Sequence, residues 1–443
     1  MKLTESILRP VKKIHGGVLL PHLKKTAESE TVIMPPPERV RIPMQQHIGA
    51  PCAPTVKKGD EVFVGTKIGD SDAFVSAPVH SSVSGTVSAV KEFLQNGRPV
   101  MSVEIESDGK MTPDPALAPR EVKTAADVAA AARDCGLVGL GGAGFPAHVK
   151  LTPKDGVKID TLVVNAAECE PYLTADYREC MESSDDIMEG VYLLKSVLGL
   201  ERVIIAVESN KPRAIEKLYG IAADRRDEDD SVKLMKLPTS YPQGAEKVIV
   251  YSATGRLVPP GGLPADVGCI VMNVTSVAVL YRFIKTGMPL VAKRITVEGK
   301  SAVNPQNILV PIGTAVEDVI AFAGGAAEDA ACLIAGGPMM GNAITDRGSV
   351  IEKRNNGLLI TPEPPEYRTT ACIRCGRCAA ACPLKLRPAA VETAYRHGLE
   401  ERYSALNVGL CMECGSCSYV CPAKRPLTQV MRTAKAQMRR NAK

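Results

Sequence analysis

The sequence predicts a multidomain α/β protein with a helical, cysteine-rich end, and three observations predict it. Short alternating runs punctuated by glycine occupy residues 56–87, β-branched runs alternate with helical stretches from Thr161 to Leu237, and eight of the 14 cysteines form two identical arrays after residue 370. Glycine turns between short alternating strands read as a compact β module. Strand–helix alternation reads as a wound parallel sheet. The chain is 443 residues long, which suggests about three domains. The expected boundaries are 1–118 for an N-terminal β module, 119–285 for an α/β domain, 286–362 for a second small β domain with its linker, and 363–443 for the cysteine domain. Hydrophobic residues make up 45% and charged residues 23%, near globular averages, which excludes a disordered or low-complexity chain. Aromatics are 4%, with no Trp, so the stacking platform of a single-strand binder is missing and nucleic acid is not an expected partner.

Within the N-terminal module, Val56-Lys57-Lys58-Gly59-Asp60-Glu61-Val62, Gly65, Ala77-Pro78 and Ser84-Gly85-Thr86-Val87 resemble a lipoyl-like barrel-sandwich hybrid. A carrier domain of that kind presents a lysine at its turn, but Asp70-Ser71-Asp72-Ala73-Phe74 offers none. A docking role is expected in place of a swinging arm.

The next element is Gly139-Leu140-Gly141-Gly142-Ala143-Gly144, which matches G-x-G-x-x-G. That string alone is weak evidence for a dinucleotide site, because the fingerprint requires a strand before it. The preceding Ala125 to Cys135 is Ala-rich and helical in character, so the ordinary Rossmann arrangement is disfavoured. Phe145-Pro146 follows, opening a helix that ends near Lys150, and the glycines still let backbone N–H groups approach a phosphate or ring. Thr161 to Asn165, Arg202 to Val207 and Val232 to Leu237 are expected strands, with helices near Ile187–Leu198 and Pro212–Ala222 between them. A parallel strand ending in polar residues delivers ligand contacts at its carboxyl edge.

The last element carries the most specific signal. Cys372, Cys375, Cys378 and Cys382-Pro383, then Cys411, Cys414, Cys417 and Cys421-Pro422, write C-x2-C-x2-C-x3-C-P twice. This is the spacing of two-cluster bacterial ferredoxins, and it predicts two [4Fe-4S] clusters. Zinc ribbons use two pairs per ion and have no use for a third Cys or a repeated Cys-Pro. The ferredoxin resemblance implies a cross-over: Cys372, Cys375, Cys378 and Cys421 hold one cluster, and Cys411, Cys414, Cys417 and Cys382 the other. Residues 366–443 hold 14 Lys/Arg against five Asp/Glu, or +9, while the whole chain is +5, leaving −4 for the remainder. Two clusters of about −2 each offset part of that excess, with Arg374, Arg377, Lys385 and Arg387 beside the cysteines. Arg387 to Leu406 is expected as one helix. Leu427 to Arg440 is basic and amphipathic, either a solvated face or a contact for an acidic partner or anionic lipid. Cys52, Cys135, Cys169, Cys180, Cys269 and Cys332 show no ligand spacing and are expected as small buried residues. His15, His47, His80, His148 and His397 are scattered and are assigned no metal.

Two longer strings make a family resemblance specific. Gly-Gly-Ala-Gly-Phe-Pro with Lys150, then Asn165-Ala166-Ala167-Glu168-Cys169-Glu170-Pro171 with Asp176, resemble the flavin- and NADH-binding subunit of respiratory complex I over roughly residues 120–345. The whole chain is more similar still to the C subunits of Rnf complexes, the ion-translocating ferredoxin:NAD oxidoreductases. His15-Gly16-Gly17, Gln46-His47-Ile48-Gly49-Ala50, Tyr241-Pro242-Gln243-Gly244, Pro260-Gly261-Gly262, Gly336-Gly337-Pro338-Met339-Met340-Gly341 and both arrays carry that similarity. It implies a Rossmann-like domain holding FMN and NAD(H). Gly141, Gly142, Gly144 and Phe145 would form the cradle, Lys150, Asn165, Glu168, Asn273 and Thr275 would contact the flavin, and Glu170 and Asp176 would lie at the NADH side. Complex I has Arg where Leu140 stands and Asp where Ala167 stands. Ile295 to Gly299, Ile308 to Val310 and Gly313 to Val316 resemble a soluble-ligand-binding β-grasp domain.

The implied function is that of a peripheral subunit of a membrane-bound redox complex. Hydride would pass between NAD(H) and FMN, and electrons through two clusters to partner subunits and, indirectly, ferredoxin. Cofactor chemistry of this kind needs no protein acid or base. Two other readings are a soluble flavin/iron–sulfur corrinoid reductase and a flavin-free electron carrier or scaffold. Met1 to Gly17 is broken by Glu5, Arg9, Lys12 and Lys13 and holds no apolar export run. The most apolar run, Cys269 to Tyr281, is shorter than the roughly 20 residues that span a bilayer. The expected location is the cytoplasmic face of the cell membrane, without crossing it.

Overall fold

The computed structural model describes residues 7–154, 156–227 and 229–441. The reading of Met1 to Gly17 as free of an export run lies partly outside them, over residues 1–6. At the centre is a four-stranded parallel sheet in the order Val232–Leu237, Arg202–Glu208, Thr161–Ala166, Cys269–Asn273. Continuous apolar runs suit strands covered on both faces. Leu162, Val164, Val203 and Ile205 pack on one side against Ala125–Asp134, Ser184–Leu198, Pro212–Asp224 and Val274–Thr286, while Val163, Ile204 and Ala206 pack on the other against Glu246–Thr254. Successive strands run outward from Thr161–Ala166 in one direction, and Cys269–Asn273 then joins its opposite side. The switch point lies between those two strands, where open α/β sheets bind ligands outside the carboxyl ends.

The N-terminal module is two small antiparallel sheets, Arg39–Pro43, Arg98–Ser107, Gly85–Gln95 and Glu61–Val62 in one, Ala53–Pro54, Lys67–Asp70 and Val79–His80 in the other. Between them lie Val40, Ile42, Ile68, Val83, Val103 and Ile105. Its long hairpin turns at Asn96-Gly97, both with positive φ, the residue pair that such a turn demands. The hairpin tip reaches a second, larger sheet outside this module at its strand Asn342–Ile344, where Asn96 Nδ2 donates to Ala343 O at 2.9 Å.

That second sheet has six strands and one helix, Val316–Phe322, packed on it. Its edge strand, Thr31–Ile33, comes from the beginning of the chain and pairs in parallel with Gln306–Pro311. Residues 8–33 therefore act as a strap. Leu8 bridges Met235 at the edge of the central sheet, Val18 bridges Tyr241, and Gly17 N donates to Ala381 O at 3.0 Å in the cysteine domain.

The cysteine domain is helical, with Leu386, Val391, Ala394, Tyr403, Val408, Met431 and Ala434 in its core. The single helix expected over 387–406 is two, Pro388–Arg396 and Glu400–Ala405. Gly398, at φ 67°, stops the first: its amide donates to Tyr395 O and that of Leu399 to Ala394 O, the paired bonds of a glycine-ended helix. The basic closing stretch is the helix Leu427–Asn441. Two of its cations turn inward, Arg432 at 2.9 Å and Lys435 at 2.7 Å from Glu413, whereas Arg439 and Arg440 are exposed. Among the described residues no helix is long and apolar enough to cross a membrane.

Candidate functional site

The glycine loop stands beside the switch point of the central sheet. Gly139 N donates to Phe145 O at 2.9 Å and closes its base. Leu140 is core, whereas Gly141, Gly142 and Ala143 are exposed, Phe145 is half-buried, and Gly144 is buried at φ 72°. A Cβ on Gly141 would lie 2.9 Å from Asn273 Nδ2, and one on Gly142 would meet nothing within 4 Å. Open space thus faces Gly142, and a side chain there would fill it.

Beneath the loop, Asn273 ends its strand and caps the following helix, its Oδ1 accepting from Thr275 N at 3.0 Å and Ser276 N at 3.3 Å. Its Nδ2 donates to Asp176 Oδ2 at 2.7 Å, and Thr275 Oγ1 donates to Asp176 Oδ1 at 2.8 Å. Asp176, Asn273 and Thr275 are one hydrogen-bonded set. Asn165 Nδ2 donates to Gly244 O at 2.8 Å. Lys150 Nζ pairs with Glu246 and donates to Val271 O at 3.3 Å.

Glu168 sits at φ 48° and accepts from Asp176 N at 2.7 Å and Tyr177 N at 3.3 Å, so it serves the first turn of the helix Ala175–Glu182. Burial raises its carboxyl to about 7; Lys24 opposes that rise and Asp176 adds to it. Lys24 comes from the strap. Its ammonium donates to Glu168 O at 3.1 Å, to Glu170 O at 3.0 Å and to Leu173 O, and burial lowers it to about 8. Lys211, also buried, donates to Ala167 O at 2.5 Å. Two lysines from distant segments therefore hold the backbone of residues 167–173.

Glu170 does not join the set under the glycine loop. Its carboxylate accepts from Met339 N at 3.0 Å, Met340 N at 2.9 Å and Tyr241 Oη at 3.4 Å, tying this loop to the Gly336–Gly341 turn of the second sheet. The sequence reading missed Lys24, Lys211 and Glu246, none of which belongs to a local motif.

The cysteines divide by position. Cys382, Cys411, Cys414 and Cys417 line one cavity, with free space of about 350 Å³ that is partly open to solvent. Leu386 N donates to Cys382 Sγ and Glu413 N to Cys411 Sγ, both at 3.3 Å. Burial and neighbouring sulfurs push the Cys411 thiol up to about 12 and the Cys417 thiol to about 11, so ligation to iron is what would hold them as thiolates. Among the described residues no three His, Cys, Asp or Glu side chains converge on a single-ion site. Four sulfurs around a cavity suit a multi-atom cluster. Cys372 and Cys375 are exposed, Cys378 and Cys421 half-buried. Arg425 lies within electrostatic reach of both Cys372 and Cys421, held by Glu392 through two bonds of 2.6 Å. Of the six other cysteines, Cys52, Cys135, Cys180 and Cys269 are buried, while Cys169 and Cys332 are partly exposed.

The second array abuts the central domain. Cys414 packs with Tyr241, Val18 and Ala381, and Cys169, Met339 and Met412 border the same patch. The Glu168–Glu170 loop and the cysteine cavity are thereby adjacent.

Comparison with known proteins accounts for each part. Family models described as the RnfC barrel sandwich hybrid domain, the Nuo51 FMN-binding domain, the SLBB domain and a 4Fe-4S dicluster domain match residues 12–110, 132–282, 294–343 and 368–425. The C subunit of the proton-translocating ferredoxin:NAD(+) oxidoreductase complex of Clostridium ljungdahlii is 41% identical over 97% of this chain and 94% of its own. The corresponding subunit of the Na(+)-translocating complex of Acetobacterium woodii is 43% identical over 96% of each chain. Its counterpart in the ion-translocating oxidoreductase complex of Rhodobacter capsulatus is 39% identical over 96% of this chain and 83% of its own. Relationship at this level along nearly the whole length places the chain in the family of C subunits of ion-translocating ferredoxin:NAD(+) oxidoreductase complexes.

Proposed function

We propose that this chain is the peripheral subunit through which a membrane-bound ion-translocating complex exchanges electrons with NAD(H), and that it lies on the cytoplasmic side. FMN and two [4Fe-4S] clusters are its cofactors, and the other subunits of the complex are its partners. Bound here, the flavin supplies conversion between hydride and single electrons, and the clusters supply the one-electron relay.

The chain's own residues prepare both sites. Gly141, Gly142 and Gly144 let the nucleotide approach the backbone, Phe145 walls the cradle, and Asn273 and Thr275, held by Asp176, stand below it. Asn165, Lys150 and Glu168 border the same strand ends. Glu170 fixes the adjoining loop to the second sheet. Cys382 joins Cys411, Cys414 and Cys417 around one cluster, and Cys421 joins Cys372, Cys375 and Cys378 around the other. The observation that carries this reading is the contact of Cys414 with Tyr241 beside Cys169, which sets the second array against the nucleotide domain and leaves the exposed first array to face a partner. Neither the corrinoid-reductase nor the flavin-free reading gains a supporting observation.

The test is anaerobic purification with iron, sulfide and FMN quantitation, then titration with NADH. The expected result is about eight irons and one flavin per chain, by the two-cluster spacing, with flavin bleaching followed by reduced-cluster EPR signals. Eight irons with no flavin, and no response after FMN is added back, would overturn it.

A further inference from the structure

A cation beside the glycine loop would add a charge-assisted contact to the backbone N–H groups that face a phosphate ester there, and the loop has none of its own. The two nearest along the chain are committed elsewhere, Lys150 to Glu246 and Val271 O and Arg133 to Asp70. Another reaches the loop from the second small β domain. Lys353 is fully buried at the meeting of three domains, its ammonium donating to Pro78 O at 2.6 Å and Gly136 O at 2.8 Å and its amide to Gln46 Oε1 at 3.0 Å. The next residue is Arg354. Its Cδ lies 3.7 Å from where a Cβ on Gly144 would stand, a van der Waals distance that packs the arginine side chain against the last glycine of the loop.

The guanidinium is oriented without being used up. Its Nε donates to Glu352 Oε2 at 2.9 Å. Gln95 Nε2 in turn donates to Glu352 Oε1 at 2.9 Å. The side chain remains 47% exposed, and among the described residues neither Nη atom has a partner. A tethered Nε with both Nη groups free, on a side chain packed against Gly144 at the end of the loop, matches the forked geometry with which arginine grips phosphate.

We propose that Arg354 is a phosphate-binding residue of the nucleotide site, its free edge pairing with a phosphate-ester oxygen of the nucleotide held over the glycine loop. The assignment rests on the flavin and dinucleotide reading above. The phosphate is that of FMN or the pyrophosphate of NADH. In either case the N-terminal module and the second β domain complete a site whose strands belong to the central domain, because Gln46, Gln95 and Glu352 set the arginine.

The test uses the full chain with its clusters, kept anaerobic. Dissociation constants for FMN, riboflavin and NADH are measured by fluorescence for the unmodified protein, Arg354→Gln and Arg354→Lys, with thermal midpoints to show that each is folded. Arg354→Gln is expected to weaken one phosphate-bearing ligand roughly 10- to 100-fold, the size of one or two charge-assisted hydrogen bonds, with Arg354→Lys intermediate. If the flavin phosphate is gripped, FMN weakens and riboflavin does not. If the pyrophosphate is gripped, NADH weakens and FMN does not. Unchanged affinity for both FMN and NADH in Arg354→Gln would overturn the proposal. An unmodified protein that binds neither would overturn the underlying reading with it.

Discussion

Asn165 and Asn273 stand opposite each other in register at the carboxyl ends of two parallel strands, and their side chains part to hold different elements. Asn165 fixes Gly244, and Asn273 fixes Asp176 while capping a helix. The helices that follow both strands cover one face of the sheet, whereas Glu246–Thr254, which leads into Cys269–Asn273, covers the other, so Asn165 meets the turn before that helix while Asn273 meets Ala175–Glu182. Asn273→Ala is expected to cost about 1–2 kcal/mol through the lost cap and to lower flavin content on purification. Asn273→Ser should restore most of the stability and not the bond to Asp176. Thermal melts with flavin assays distinguish the two effects.

The glycine loop separates folding from binding at neighbouring positions. A methyl group at Gly142 meets no protein atom, whereas one at Gly141 meets Asn273 at 2.9 Å. Gly142→Ala should leave the stability of the flavin-free protein within about 0.5 kcal/mol of the unmodified chain and reduce flavin affinity. Gly141→Ala should lower both. Unchanged flavin affinity in Gly142→Ala would remove the loop from the cradle.

Glu168 makes stability depend on pH. Its carboxyl is raised to about 7 from 4.5, so between those values the folded state holds more protons than the unfolded state, and this contribution is lost as pH rises. Glu168→Gln should therefore gain on the unmodified protein between pH 5 and pH 7.5, by about 1–3 kcal/mol given the coupling to Lys24. Thermal midpoints of the flavin-free chain at the two pH values check it; a constant difference would show that the carboxyl titrates normally.

The division of the cysteines predicts a cross-over. Cys382→Ser should remove the cluster of the second array and spare the first, and Cys421→Ser should do the reverse. EPR of the dithionite-reduced variants reads which signal is lost. Loss of the first-array signal in Cys382→Ser is incompatible with the cavity that Cys382 shares with Cys411, Cys414 and Cys417.

Arg425 joins stability to redox tuning. Its fork on the buried Glu392 implies that Arg425→Met, which leaves that carboxylate only Arg396 at 3.1 Å, costs about 1–3 kcal/mol. Glu392→Gln combined with Arg425→Met should recover part of that cost. In Arg425→Met the first cluster should titrate at a more negative potential, since a cation facing Cys372 and Cys421 is gone, and the double variant, which loses the Glu392 charge as well, should shift less. Potentiometric EPR provides the measurement.

Local chemistry explains what was legible in the amino-acid order. Cluster cysteines sit in short loops whose spacing is set by the cluster they serve, and the strands Thr161–Ala166 and Arg202–Glu208 are largely apolar because both faces are covered; the break at Gly398, by contrast, reads through as one helix. The first two features need no knowledge of distant residues. Tertiary structure alone decided the rest. Thr31–Ile33 leaves the first module to edge a sheet formed some 270 residues later, Lys24 and Lys211 converge on one loop, Glu170 turns to Met339 and Met340, and Lys353 and Arg354 meet the glycine loop through two other domains. Each is a buried or tethered polar group whose partner lies far along the chain, and such partners are set by packing, which leaves no periodicity or spacing in the sequence.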